Sequence, residues 1–71
     1  MPVKEAAKYI GVDVNDVRTL IELKYLRDLK LGATKIAIRE LDRFIQEATE
    51  NGIDYNMILE PYRKMRRQQL A

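Results

Sequence analysis

Val12-Asp13-Val14-Asn15-Asp16-Val17-Arg18-Thr19-Leu20-Ile21-Glu22-Leu23 is the stretch whose reading decides the architecture. Val17, Leu20 and Ile21 recur at helical spacing, and Asn15, Asp16, Arg18, Thr19 and Glu22 fall on the opposite side. Asp13 stands where a side-chain oxygen can accept from the free amides of a helix start. Gly11, just before it, suits the left-handed conformation that ends a preceding helix. That preceding helix is read from Val3, Ala6, Ala7 and Ile10, with Pro2 near its start, and is expected over residues 3–10. Two short helices joined by a glycine-bearing turn brace each other, so the second turns its polar face outward.

Working outward, Leu26, Leu29 and Leu31, then Ile36 and Ile38, flank Gly32-Ala33-Thr34 at two-residue spacing. This predicts a small antiparallel hairpin, half-buried on one face; the rival, a helix continuing through Leu31, is weakened by Gly32 and the β-branched residues after it. Leu41, Phe44, Ile45 and Ala48 predict a third helix over about 38–50, with Asn51-Gly52 as its stop. Beyond Gly52, Pro61 is expected to break or kink a helix crossing it, so the reading is a separate helix from Pro61 to Gln69, marginal alone and held by the body of the domain or by a partner. The expected organisation is a domain over 1–50 and a basic, partly helical tail over 51–71, a candidate partner-binding segment. The fold class expected is mainly α with a small β-hairpin, in a winged helix-turn-helix arrangement of the kind that reads DNA.

Composition narrows the chemistry. The chain has 71 residues and neither cysteine nor histidine, so disulfides, thiolate or imidazole metal sites and imidazole-activated nucleophiles are excluded. Asp16, Glu22, Asp42 and Glu47 are carboxylates on helical surfaces without a nucleophile or a ligand set, which argues against an enzyme and against a cofactor. No apolar run approaches the roughly twenty residues that span a bilayer, so no membrane partner and a cytoplasmic address are expected. The net charge is +2: residues 1–50 hold nine basic and nine acidic side chains, and the excess lies in Arg63, Lys64, Arg66 and Arg67 against Asp54 and Glu60. Such a block favours phosphate or an acidic protein surface, or is a solvated helix end.

The run Val3-Lys4-Glu5-Ala6-Ala7-Lys8-Tyr9-Ile10-Gly11-Val12, then Val17-Arg18-Thr19-Leu20-Ile21, Leu29-Lys30-Leu31-Gly32, Lys35-Ile36 and Leu41-Asp42-Arg43-Phe44-Ile45 resembles the excisionase-type branch of the MerR-like winged helix proteins, over about residues 2–47. The resemblance implies a recombination directionality factor of a phage or mobile element, bacterial or phage-encoded and nucleoid-associated. Such a protein binds double-stranded DNA cooperatively with neighbouring protomers, bends it, and helps an integrase of the tyrosine recombinase class to excise the element. It also implies DNA contacts at Val14, Asn15, Asp16, Arg18 and Thr19 on the reading helix and at Lys30, Gly32, Ala33, Thr34 and Lys35 on the wing. In this reading Tyr62, Arg63, Met65, Arg66 and Arg67 contact integrase or the adjacent protomer. Relatives commonly carry serine, threonine or basic residues where this chain has Asp16 and Glu22, an arginine or aromatic residue near Ala33 and Thr34, and a proline at Ala37.

Each position also has a plainer reading. Arg18 can pair with Glu22 one turn on, Asn15 can help Asp13 cap the helix, and Lys30 and Lys35 can guard a strand edge. A carboxylate such as Asp16 is repelled by phosphate unless it accepts from cytosine or braces an arginine. Tyr9, Tyr25, Tyr55 and Tyr62 read as packing groups at the edge of a small core. The alternatives in function are a small transcriptional regulator on the same fold and a protein-binding adaptor that does not touch DNA.

Overall fold

Ala6 and Ala7 are both buried, and their small side chains let the first helix, α1 (Val3–Ile10), lie close against the second, α2 (Val14–Glu22). The computed structural model describes residues 1–70, without the side chains of Leu31 and Leu70. A hairpin follows, β1 (Leu29–Leu31) and β2 (Ala33–Lys35), then α3 (Ile38–Asn51) and α4 (Tyr55–Leu70). The chain is thus mainly helical with a two-stranded antiparallel sheet. No helix among the described residues is long and apolar enough to cross a membrane.

The joints between elements are governed by backbone conformation. Gly11, at φ +78°, ends α1 and gives its N–H to the Ala7 carbonyl. Asp13 sits at the N-cap of α2 with extended backbone, but its side chain makes no capping bond; its carbonyl accepts from the Asp16 and Val17 amides. The end of α2 has no glycine. Lys24 takes the left-handed conformation instead, at φ +69°, and the Lys24 and Tyr25 amides donate to the Ile21 and Leu20 carbonyls, which closes the helix as a Schellman motif. Gly52, at φ +62°, ends α3.

Leu29 pairs with Lys35, Lys30 with Thr34 and Leu31 with Ala33, leaving Gly32 at the tip with φ +78°. The expected half-burial of this hairpin is corrected: Leu29 and Ile38 are 49% and 54% exposed, whereas Leu26 and Ile36, at its base, enter the core. The hairpin therefore projects from the body and is anchored at its base. There Met1 and Pro2 run along β2, with the Met1 ammonium donating to the Ile36 carbonyl at 2.7 Å and the Ile36 amide to the Met1 carbonyl at 2.8 Å.

Val17, Leu20, Leu26, Ile36, Leu41, Phe44 and Leu59 complete the core with the two alanines. Leu59 and the half-buried Tyr55 belong to α4, so the segment after residue 50 packs into the same core as the rest. The expected break at Pro61 is also corrected, since α4 runs from Tyr55 through Pro61 to Leu70. An interior proline removes one helical hydrogen bond, here to the Met57 carbonyl, and costs about 3 kcal/mol. Met57 and Pro61 are both exposed, so water can reach that carbonyl. Full burial of Leu59 and the ion pairs described below offset the remainder. Ala71, the end of the expected tail, lies outside the described residues.

Candidate nucleic-acid interface

Successive residues of a helix are about 100° apart around its axis, which places Asn15, Arg18 and Glu22 of α2 within about 60° of one another. All three are exposed and form an outward ridge. Among the described residues neither the Arg18 nor the Asn15 side chain makes a hydrogen bond or ion pair, so Arg18 is not engaged by Glu22 and Asn15 does not help Asp13 cap the helix. The ridge thus presents a guanidinium and an amide whose donors and acceptors are open to solvent.

Two shallow grooves flank it. On one side Arg18, Ile21 and Glu22 face Asp28, Lys30 and Thr34 at the base and middle of the hairpin. Lys30, Gly32, Ala33, Thr34 and Lys35, the five expected wing positions, are all exposed. On the other side Asn15, Arg18 and Glu22 face Tyr62, Met65, Arg66 and Gln69 of α4. Gln69 and Asp28 had no place in the expected site, because nothing in their local sequence marks them as neighbours of α2.

The expectation that the contact positions of α2 face outward holds for Asn15 and Arg18 and is corrected for the other three. Val14 packs against the core, where an aliphatic side chain gains more than it would in water. Asp16 and Thr19 are 3% and 7% exposed because α4 lies over them. Arg63 gives Nη2 to Asp16 Oδ2 at 2.8 Å and Nε to both carboxylate oxygens at 3.2 Å. Arg66 gives Nη2 to Asp16 Oδ1 at 2.7 Å and Nη1 to Thr19 Oγ1 at 3.3 Å. The Thr19 hydroxyl in turn donates to the Asn15 carbonyl at 3.0 Å. A nearly buried carboxylate is therefore satisfied by two guanidinium groups, and no buried side-chain polar atom among the described residues lacks a partner.

The same contacts correct the placing of the tail residues. Arg63 and Arg66 turn in toward α2 and Tyr62 is half-buried, whereas Met65 is 55% exposed and Arg67 is exposed, tied to Glu60 at 3.0 Å. Because Leu59, Arg63 and Arg66 fall at i, i+4 and i+7 along α4, they form one stripe. That spacing was visible in the sequence; the identity of their partner, 47 and 50 positions upstream, was not.

Burial pushes the Asp16 carboxyl up, but the Arg63 and Arg66 hydrogen bonds outweigh it, leaving Asp16 below its ordinary value of 3.8. A carboxyl depressed in the folded state stabilises fully above its unfolded value, and that stabilisation is lost as pH falls through the folded one. Asp16→Asn is therefore expected to lose about 1–3 kcal/mol at neutral pH, less than for a fully buried pair because both arginines are about a quarter exposed. The gap between the two proteins should narrow as pH falls below about 4. Urea unfolding at several pH values measures it, and a gap that widened in acid would contradict the assignment.

Comparison with protein-family models, with curated proteins and with solved structures returned no match, so the functional reading rests on this chain's own residues.

Proposed function

We propose that the protein binds double-stranded DNA as a winged helix-turn-helix module, with α2 entering the major groove and the hairpin resting on the adjacent backbone. The observation that carries the reading is the ridge of Asn15 and Arg18, whose side chains are exposed and without hydrogen-bond partners among the described residues, beside a projecting hairpin that holds Lys30 and Lys35. The chemistry suits the task. An asparagine amide can pair with adenine and an arginine with guanine, while lysines on a hairpin meet phosphates as point charges.

Affinity for a single copy should be modest. Arg18 and Lys30 are set against Glu22 and Asp28 on the same surface, and Lys35, paired with Leu29, falls on the other face of the hairpin, so few counterions are released on binding. Bending a site of 20–30 base pairs costs about 1–6 kcal/mol, which favours several copies side by side. The role proposed is the one that the resemblance implies: an architectural protein of the excisionase type that shapes attachment-site DNA for an integrase. Control of transcription would use the same DNA-binding step, and an excision reaction run with the partner integrase separates the two.

Fluorescence anisotropy on a mixed-sequence duplex, with salt varied between about 50 and 200 mM, tests the DNA reading directly. Arg18, Lys30 and Lys35 together account for a slope of about −2.7 in log affinity against log salt concentration, and each further phosphate contact adds about −0.9. Absence of salt-sensitive binding to any duplex would instead favour an adaptor that contacts only protein.

A further inference from the structure

The charged surface not used above is the C-terminal half of α4, and its geometry deepens the DNA reading, on which it rests. Asp16 is too enclosed to meet a ligand and has no enzymatic partner, yet it holds Arg66 in one orientation beside the ridge. A guanidinium has five N–H donors. Arg66 uses two of them, on Asp16 and Thr19, its side chain is 27% exposed, and it lines the grooves between α2 and α4, so three donors remain for a ligand there. Arg67 stands beside it at 63% exposure, tied only to the half-exposed Glu60, and Asn15 and Gln69 line the same groove.

We propose that Arg66 and Arg67 form a second phosphate-binding edge, which grips the DNA backbone on the side of α2 opposite the hairpin. The reading helix would then sit between two cationic walls, one of lysines on the hairpin and one of arginines on α4. Asp16 is a positioning residue in this arrangement. Asp13 and Glu60 bring the charge of the patch close to neutral, so its contribution lies in order: the shared Asp16 carboxylate fixes Arg66 before DNA arrives, and less side-chain freedom is lost on binding. The pairing also accounts for a carboxylate on a helix meant for a polyanion: its charge is spent on the arginines and does not face the duplex.

A phosphate is favoured over an acidic protein partner because Arg66 borders the groove that holds Asn15 and Arg18, and Arg67 an adjoining one that shares Asn15, Arg66 and Gln69 with it, beside the footprint that the duplex would occupy. A partner seated there would displace the DNA.

The test is the salt dependence of duplex binding by the full chain, using the mixed-sequence duplex as probe. Arg66→Gln and Arg67→Gln should each bring the slope about one closer to zero and weaken binding several-fold near 100 mM salt. Arg66→Lys keeps the charge and should retain the slope. Lys64→Gln, which removes the same charge from an exposed residue of α4 that lines neither groove beside α2, should leave the slope unchanged. Arg66→Gln also loosens the Asp16 pair, so its unfolding midpoint is measured alongside; Arg67→Gln, with only a rim contact to lose, gives an independent reading. If wild-type binding is salt-sensitive and weakened by Arg18→Ala, and neither glutamine variant differs from Lys64→Gln, the second edge is overturned while the DNA reading stands. An unchanged slope with lost cooperativity between copies also overturns it and assigns the patch to a neighbouring protein. A wild-type chain without salt-sensitive binding overturns both.

Discussion

Phe44→Ala should leave the chain largely unfolded at 37 °C. Phe44 is 7% exposed and lies in the one continuous core of the described residues, where its ring meets Tyr55 at a centroid distance of 4.6 Å and Tyr55 meets Tyr25 edge-on at 5.4 Å. Removing a buried phenylalanine costs about 3–5 kcal/mol, from lost transfer energy and the cavity left behind. A domain of this length has a total stability of only about 4–10 kcal/mol. The loss would therefore consume most of the margin, and with it the register between α3 and α4 that the aromatic chain maintains. In a domain this small each kcal/mol moves the melting temperature by roughly 4–8 °C, so circular dichroism melts should show a drop of well over 10 °C. Ile45→Ala, one position along and 40% exposed, serves as control and should shift the melt far less. A Phe44→Ala chain melting within a few degrees of wild type would mean that the core does not depend on this ring.

How far the sequence could be read depended on how local each determinant was. The bounds of α1 and α3 followed from apolar spacing together with Gly11 and Gly52, because a glycine at a helix end carries its own conformational reason. The hairpin tip followed from Gly32 in the same way. The end of α2 was less legible: Lys24 adopts a left-handed conformation that nothing in its side chain advertises, and it does so because the Leu20 and Ile21 carbonyls gain donors by it. Pro61 misled for the converse reason. Its local penalty is real, but Leu59 two residues before it and Arg63 two residues after it are both fastened to the body, and tertiary contacts outweigh one missing hydrogen bond.

The candidate site shows the same division. Lys30, Thr34 and Lys35 were placed correctly on an exposed hairpin because a projecting β-turn is a local feature. Asp16 and Thr19 were read as outward because helical spacing alone leaves them uncovered. What covers them is α4, and α4 was expected as a separate tail. The resulting ridge is narrower than the sequence suggested, and it leaves Asn15 and Arg18 as the residues of α2 on which the proposed DNA contact depends.

That narrowing makes Arg18→Ala the most informative single substitution for function. Arg18 stands at the crest between the two grooves, bordering both, with no hydrogen bond or ion pair to any described residue. Its loss should therefore change folding stability by no more than about 0.5 kcal/mol, the range for an exposed residue without special contacts. In binding, an arginine that reads a base edge contributes about 1–3 kcal/mol of discrimination, so affinity for a preferred duplex should fall roughly ten-fold or more. The manner of the fall identifies the contact. A phosphate contact weakens all duplexes alike and brings the salt slope about one closer to zero, whereas a base contact relaxes preference at one position of a selected site. Glu22→Gln supplies the complementary measurement, since removing a carboxylate from the same ridge should strengthen binding to a polyanion. If Arg18→Ala binds every duplex as wild type does, with its fold intact, α2 is not the element that enters the groove.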